Sequence, residues 1–192
     1  DFPQEAFHEI GYTCAFRGQK TYNGVALISR HQIEQVQFGL PDEPRDEPRI
    51  VIAAIQGITF ANTYIPQGYL TTSDRFQYKL DWFNRLLNCF RKRFKSSDPV
   101  LWMGDLNVAP LPIDVYDPEA MVDHVCYHPA VREALARVME WGFTDLFRKH
   151  HPEPGQYTFW DYRIGNFFEK NRGWRIDHIL GTAPLADRKS VV

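Results

Sequence analysis

Two short polar side chains, Asp105 and Asn107, follow the apolar run Val100–Met103. Alternate side chains of a strand face the same side of the sheet, so both would point the same way at the end of a buried strand. A carboxylate there can orient and deprotonate a water molecule, and an amide can hold a phosphate oxygen. The alternative is an Asx turn before Pro110, because Asp and Asn also favour turns. The tetrapeptide GDLN alone leaves both interpretations open.

Two other segments place polar residues at predicted strand ends. Tyr64 begins the sequence YIPQG, in which Pro and Gly fix a turn, and its hydroxyl group could bind a phosphate unless the ring only packs. The sequence RIDH puts Arg175 and Asp177 on one face of a strand and Ile176 and His178 on the other. We therefore interpret His178 as a structural histidine and expect Asp177 to orient a histidine from elsewhere.

The segment Tyr157–Arg163 has the sequence YTFWDYR, with aromatic residues at four of its first six positions. Such a cluster can stack on a base or a sugar, although alternating aromatic residues are also typical of a core strand. Lys20, Arg172 and Arg175 flank the motifs and are the candidate phosphate ligands. The basic run at 91–95 ends a predicted helix, where it complements the helix dipole, so we interpret it as a solvated surface.

Hydrophobic periodicity and turn residues place these candidates on short strands and two long helices. Residues 73–95 are the clearest helix, with Ser73 and Asp74 as caps and apolar residues at spacings of three and four. The other predicted elements are helices at 3–10 and 129–141, strands at 12–16, 24–29, 49–55, 58–64, 100–103 and 174–180, and a loop rich in Pro, Asp and His at 110–128. This mixture predicts an α+β or mixed α/β fold, in which helices cover two sheets.

The composition suits a single domain over residues 1–192. Apolar residues make up 44% of the chain and aromatic residues 15%, which argues against disorder. The net charge of −2 excludes a broad basic surface but allows a local basic groove for nucleic acid. Cys14, Cys89 and Cys126 are far apart and lack metal-ligand spacing, so we expect reduced thiols in a cytoplasmic protein. The absence of an apolar run of about 18 residues predicts no membrane role.

Six segments occur in an order that resembles the exonuclease III family of abasic-site endonucleases, within the endonuclease/exonuclease/phosphatase superfamily. They are GQKTYNGVALISR (18–30), YIPQG (64–68), WMGDLNVAP (102–110), WGFTDLFR (141–148), YTFWDYR (157–163) and NRGWRIDHIL (171–180). The resemblance covers nearly the whole chain. YIPQG together with FWDYR and NRGWRID points to the bacterial exonuclease III branch rather than to sphingomyelinases or inositol-phosphate phosphatases.

The resemblance implies a four-layer αββα sandwich of two mixed sheets flanked by helices, with the site at one rim. It also implies phosphodiester hydrolysis assisted by Mg²⁺ or Mn²⁺. The substrate would be double-stranded DNA, cut 5′ to an abasic site or trimmed of nucleotides and blocking groups at a 3′ end. No protein partner is implied.

Individual roles follow from the positions that match the family motifs. Asp105 would orient and deprotonate the attacking water, and Asn107 would hydrogen-bond the scissile phosphate or that water. Tyr64 would contact the phosphate. Asp177 would pair with the catalytic histidine of the family. The matching aromatic residues would pack against the abasic sugar; they are Phe159 and Trp160.

The sequence departs from the family pattern at both ends. The Glu that is the principal metal ligand of the family would precede Asp1, and the Ser-Asp-His motif with the catalytic histidine would follow Val192. We therefore expect a domain that is incomplete at both termini, without a complete metal site, and inactive as given, whereas the full-length protein would be a nuclease. The alternatives are a non-catalytic DNA-binding fragment and a related phosphoesterase acting on a nucleotide or phospholipid.

Overall fold

The computed structural model describes residues 2–41 and 48–187. These residues form strands β1 (Thr13–Gly18), β2 (Gly24–Ser29), β3 (Glu34–Phe38), β4 (Ile50–Ile55), β5 (Ile58–Tyr64), β6 (Val100–Asp105), β7 (Phe143–Asp145) and β8 (Asp177–Thr182). They also form helices α1 (Gln4–Glu9), α2 (Asp74–Arg93), α3 (Pro129–Met139), α4 (Leu146–His150) and α5 (Ala183–Ala186), and a 3₁₀ turn at Pro112–Asp114.

The described strands form two sheets. The first is the antiparallel hairpin β1-β2, and the second has six strands in the order β3-β4-β5-β6-β8-β7. Strands β5 and β6 run parallel, whereas the other neighbours in the large sheet are antiparallel. The large sheet is therefore mixed, as predicted. The small sheet is not, because its two described strands are antiparallel.

Successive side chains of β1 point to opposite faces of the small sheet, one inner and one outer. Ala15 is buried, whereas the ring of the next residue, Phe16, stacks on Phe2, 4.2 Å away, beside α1. Between the sheets, Val25 and Leu27 share a small buried core with two residues of β4, Val51 and Ala53. Helix α1 thus covers one side of the small sheet, and the large sheet covers the other.

Helices α2 and α3 cover the opposite face of the large sheet. Ser73 begins α2, since its side chain accepts a hydrogen bond from the Phe76 N–H. Large side chains such as Trp82 and Phe90 are fully buried against the sheet, and each contributes about 2 to 3 kcal/mol of transfer free energy. The order is helix, sheet, sheet, helix, which confirms the predicted sandwich architecture.

Four elements were not anticipated from the sequence: β3, β7, α4 and α5. Strand β3 is an edge strand with a break in register and mostly exposed side chains, so its hydrophobic pattern is short and weak. The predicted strand at 174–180 is also wrong at its start, because β8 begins at Asp177. Trp174 instead pairs its backbone with Phe159 in an isolated bridge.

Within residues 2–41 and 48–187, no helix is both long and apolar enough to cross a membrane. The three cysteines are free thiols, as predicted.

Candidate active site

The ends of three neighbouring strands place Tyr64, Asp105 and Asp177 side by side. Tyr64 pairs with Asp105 in the parallel register of β5 and β6. Asp105 pairs with Asp177 in the antiparallel register of β6 and β8, so the last residue of β6 meets the first residue of β8. Three motifs that are far apart in the sequence therefore meet at one edge of the large sheet.

Asp105 and Asn107 are held together by a turn beyond the end of β6. The N–H of Asn107 donates to Asp105 Oδ1 over 2.9 Å, and its Nδ2 donates to Asp105 Oδ2 over 3.1 Å and to the Ile65 carbonyl over 3.0 Å. Asn107 has a φ of 51°, which lies in the left-handed region that Asn tolerates. The Asx turn is thus present, and it serves to orient the carboxylate rather than excluding a functional role.

Burial raises the pKa of Asp105 to about 6, and the neighbouring charge of Asp177 adds to this effect. The hydrogen bonds from Asn107 and the positive charge of Lys79 oppose it. A carboxylate with a pKa near 6 is largely ionised at neutral pH and still accepts a proton readily, which is the property of a general base.

A cavity of about 510 Å³ opens beside Tyr64 and Asp105, whereas Asp177 lines a neighbouring cavity. Asp105 and Asn107 line the first cavity beside several aromatic rings and an ion pair between Asp161 and Arg163. The lining residues are Tyr64, Gln67, Tyr69, Asp105, Asn107, His124, Cys126, Phe159, Asp161, Arg163, Trp174 and Ile176. Polar groups that converge in an aromatic cavity are typical of a small-ligand subsite.

His124 forms part of the cavity wall and was not singled out from the sequence. Its ring stacks on Trp174, with centroids 5.4 Å apart, and its Nδ1 accepts a hydrogen bond from the Cys126 N–H over 3.3 Å. In a neutral ring the proton is then on Nε2. Burial, and then the charge of Lys79, lower the pKa of His124. The only sequence signal was that the loop at 110–128 is rich in His.

Lys79 is a second residue that the sequence reasoning missed. It lies on the buried face of α2, and its Nζ donates hydrogen bonds to the carbonyls of Gln67, Asn107 and Val125. Burial lowers the pKa of Lys79 to about 8, although the charges of Cys126 and Asp105 oppose this. Its position three residues after Phe76, within the predicted apolar face, is the signal that could have revealed it.

The prediction that Arg175 is a phosphate ligand is wrong, because its side chain is part of the structural core. Its side chain is only 2% exposed, its Nε donates to Asp114 Oδ1 over 2.7 Å, and its Nη2 donates to Asp145 Oδ2 over 2.7 Å. Its Nη1 also donates to His178 Nδ1, so Arg175 and His178 share a side, contrary to the prediction. The alternation fails because β8 begins only at Asp177.

His178 is a structural histidine, as predicted. It is buried, its Nδ1 accepts from Arg175, and its Nε2 donates to the Val108 carbonyl over 2.8 Å. Both ring nitrogens are therefore occupied within the fold. Through this contact His178 connects β8 to the segment that follows Asn107.

Of the remaining predicted ligands, Phe159 lines the cavity, whereas Lys20, Arg172 and Trp160 lie around it. Lys20 lines a neighbouring groove that shares Tyr64 and Tyr69 with the cavity. Arg172 lines a different groove on the aromatic loop. Phe159 is a cavity residue, whereas the indole Nε1 of Trp160 donates to Asn171 Oδ1 over 3.1 Å, outside the cavity lining.

The sequence model of the "Endonuclease/Exonuclease/phosphatase family" matches residues 2–192. Exodeoxyribonuclease III of Haemophilus influenzae is 31% identical over 97% of this chain and 74% of its own length. An exodeoxyribonuclease of Bacillus subtilis is 33% identical over 88% of this chain and 67% of its own length.

Solved structures show the same relationship. An AP endonuclease from Archaeoglobus fulgidus superposes with a TM-score of 0.95 and 47% identity, over 97% of this chain and 73% of that protein. The 3′ phosphatase NExo from Neisseria, bound to a product DNA hairpin, gives a TM-score of 0.88 and 37% identity, over 96% of this chain and 72% of that protein.

The four-layer sandwich, with an aspartate and an asparagine that line a cavity, has the architecture of a phosphoester-cleaving enzyme. The family match over residues 2–192 makes the assignment specific. The chain belongs to the endonuclease/exonuclease/phosphatase family.

Proposed function

We propose that this protein is a DNA-repair phosphodiesterase. The full-length protein would hydrolyse the phosphodiester bond 5′ to an abasic site and would remove nucleotides or blocking groups from DNA 3′ ends. Its relatives include an exodeoxyribonuclease III and an AP endonuclease, and these names support the proposal. The observation that carries it is the row of Tyr64, Asp105 and Asp177, of which Tyr64 and Asp105 line a cavity with several aromatic residues.

Asp105 is the proposed general base, which accepts a proton from the attacking water. Asn107 fixes the orientation of that carboxylate, and its amide reaches the phosphate by exchanging one of its two present hydrogen bonds. The hydroxyl group of Tyr64 donates to a phosphate oxygen and stabilises the charge that develops on it. Asp177 is exposed and is available to orient a histidine, as the family resemblance implies.

Selectivity for an abasic nucleotide follows from the aromatic side of the cavity. Phe159 and Trp174 tilt against one another with centroids 5.9 Å apart, and both line the cavity. A bare deoxyribose presents an apolar face to such walls, whereas a nucleotide with its base requires more space. Trp160 lies outside this lining, so the proposed sugar contact is made by Phe159.

Double-stranded DNA is the proposed partner, and its backbone would follow the groove beside the cavity. Lys20, Arg49 and Arg75 line this groove together with several tyrosines. Clustered cations neutralise phosphates, and aromatic rings stack on bases. A local groove of this kind provides DNA contacts in a chain whose net charge is −2.

Mg²⁺ or Mn²⁺ would supply charge stabilisation for the phosphate when bound. The described residues do not fit a complete ion site, because they contain no group of three or more His, Cys, Asp or Glu side chains that could hold a metal. Without a further ligand the described residues would bind these ions weakly, and in that case we expect the 192-residue chain to turn over abasic DNA no faster than its Asp105→Ala variant.

The test measures the affinity of the chain for a duplex with a tetrahydrofuran abasic analogue and for the same duplex intact. We expect about a tenfold preference for the abasic duplex, or about 1.4 kcal/mol. Phe159→Ala should reduce that preference, because it removes one wall of the sugar subsite. Tyr162→Ala is the matched control, since this ring is 89% exposed and does not line the cavity.

Two results would count against the proposal. One is equal affinity for the abasic and intact duplexes. The other is turnover of inositol phosphates or phospholipids, with Mg²⁺ or Mn²⁺, in the absence of any effect on DNA. Hydrolysis of abasic DNA above the level of Asp105→Ala would support the proposed reaction and overturn only the expected inactivity of the chain.

A further inference from the structure

Lys79 is a fully buried cation on the helix that backs the cavity. Its Nζ donates to the Gln67 carbonyl over 3.1 Å, to the Asn107 carbonyl over 2.7 Å and to the Val125 carbonyl over 2.9 Å. An ammonium group has three hydrogens, so each of them has a partner. A buried charge is tolerated only with such complete hydrogen bonding.

The three carbonyls belong to three separate segments of the chain. Gln67 is in the turn after β5, Asn107 is in the turn after β6, and Val125 is in the loop at 110–128. Each segment also provides cavity lining: the side chains of Gln67 and Asn107, and the residues on either side of Val125, which are His124 and Cys126. One cation therefore joins all three segments from below.

Direct backbone hydrogen bonds join these segments in pairs. The Ile65 N–H donates to the Asp105 carbonyl, and the Ala109 N–H donates to the Cys126 carbonyl. Neither bond connects the turn after β5 with the loop at 110–128. Without the ammonium group, three buried carbonyl groups would lose their hydrogen-bond donor. The segments would then separate so that these carbonyls could reach water.

We propose that Lys79 is a positioning residue, which fixes the substrate cavity by tying its three segments together and does not itself contact the substrate. This proposal rests on the proposed function of the cavity. Displacements of about 1 Å in such segments cost about 100-fold in catalysis, so a single cation beneath the site can control how well substrate is held.

The experiment compares the full 192-residue chain with its Lys79→Met, Lys79→Arg and Lys92→Met variants. Lys79→Met keeps the length of the side chain without the charge, and Lys79→Arg keeps the charge and several donors. Lys92 lies on the exposed side of the same helix and provides the matched control. The measurements are affinity for the abasic-analogue duplex and amide hydrogen exchange of the protein without DNA.

We expect Lys79→Met to weaken duplex binding about tenfold and to speed exchange at Asn107, Ala109 and Cys126, whose N–H groups are hydrogen-bonded within these segments. Exchange in β4 and β5 should stay slow. Lys79→Arg should restore most of both properties, and Lys92→Met should leave them unchanged.

Unchanged exchange at these amides in Lys79→Met would overturn the proposal, as would faster exchange throughout β4 and β5 with no rescue by Lys79→Arg. If the unmodified chain shows no preference for the abasic duplex, the proposed function fails instead. The exchange comparison still decides the role of Lys79 in that case, because it requires no DNA.

Discussion

Replacing Asp105 with asparagine is expected to stabilise the protein at neutral pH while it removes the proposed base. In the folded state burial raises the pKa of this carboxyl group from 3.8 to about 6. Each pKa unit corresponds to about 1.4 kcal/mol, so keeping Asp105 ionised costs the fold about 3 kcal/mol at pH 7.5. Because the pKa of Asp105 is higher in the folded state than in the unfolded state, this cost is absent at pH values below the unfolded-state pKa. It is complete above about pH 6.

The amide group introduced by Asp105→Asn would not reproduce both hydrogen bonds to Asn107. One carbonyl oxygen remains to accept from the Asn107 N–H, whereas the second bond, from Nδ2, would be lost. That loss costs about 1 kcal/mol. The net gain at pH 7.5 is therefore about 2 kcal/mol, which is about 4 to 8 °C in Tm for a domain of this size.

Urea unfolding of the unmodified chain and of Asp105→Asn at pH 7.5 and pH 4 tests this calculation. We expect Asp105→Asn to be more stable at pH 7.5 and to lose that advantage at pH 4, where the native carboxyl group is protonated. Asp123→Asn is the control, because Asp123 is an exposed loop residue; it should change stability by less than about 0.5 kcal/mol. A difference that is the same at both pH values, or a loss of stability at pH 7.5, would refute the reasoning.

Two further substitutions probe how the site is supported. Gly104→Ala would place a Cβ only 2.1 Å from the Thr63 carbonyl oxygen, so we expect urea unfolding to show a loss of about 3 kcal/mol in stability. The control is Gly57→Ala, where the Cβ meets nothing within 4 Å; it should cost about 1 kcal/mol. Equal losses of stability in the two variants would contradict the predicted clash. Arg175→Met would remove the arginine partner of Asp145 and one of the two arginines that pair with the buried Asp114, and it should cost about 3 kcal/mol. Arg163→Met, at an exposed ion pair, should cost less than about 1 kcal/mol; similar losses in the two variants would show that burial of the pair is unimportant.

The strand-end residues could be predicted from the sequence because their positions depend on local rules. An apolar run that ends in polar residues marks the edge of a sheet, and strands β5 and β6 are neighbours in register. Tyr64, Asp105 and Asp177 therefore lie together in the structure, as the family order of their motifs implied. Asn107 lies beside Asp105, as expected, but a left-handed turn and not strand alternation directs its side chain there.

The environment of Arg175 could not be predicted in this way. Its sequence neighbours suggested a strand, but its partners Asp114 and Asp145 are contributed by a 3₁₀ turn and by the end of β7. Contacts over such sequence distances depend on tertiary packing, which periodicity does not report. From the sequence a charged residue beside a motif therefore suggests a ligand, although the hydrogen-bonding capacity of Arg175 is used within the fold.

The walls of the cavity were equally hard to predict, but here the sequence does contain a usable signal. His124 and Cys126 come from a loop without periodicity, and that loop is held by a hydrogen bond from a helix residue far away in the sequence, Lys79. A lysine within an apolar helix face has too high a desolvation cost to be there without partners, so its presence in the sequence indicates that carbonyl groups from other segments converge on it. Lys79→Met tests that argument directly: if the loop at 110–128 keeps its protection from exchange without the ammonium group, a buried lysine in an apolar helix face is not by itself a sign of converging loops.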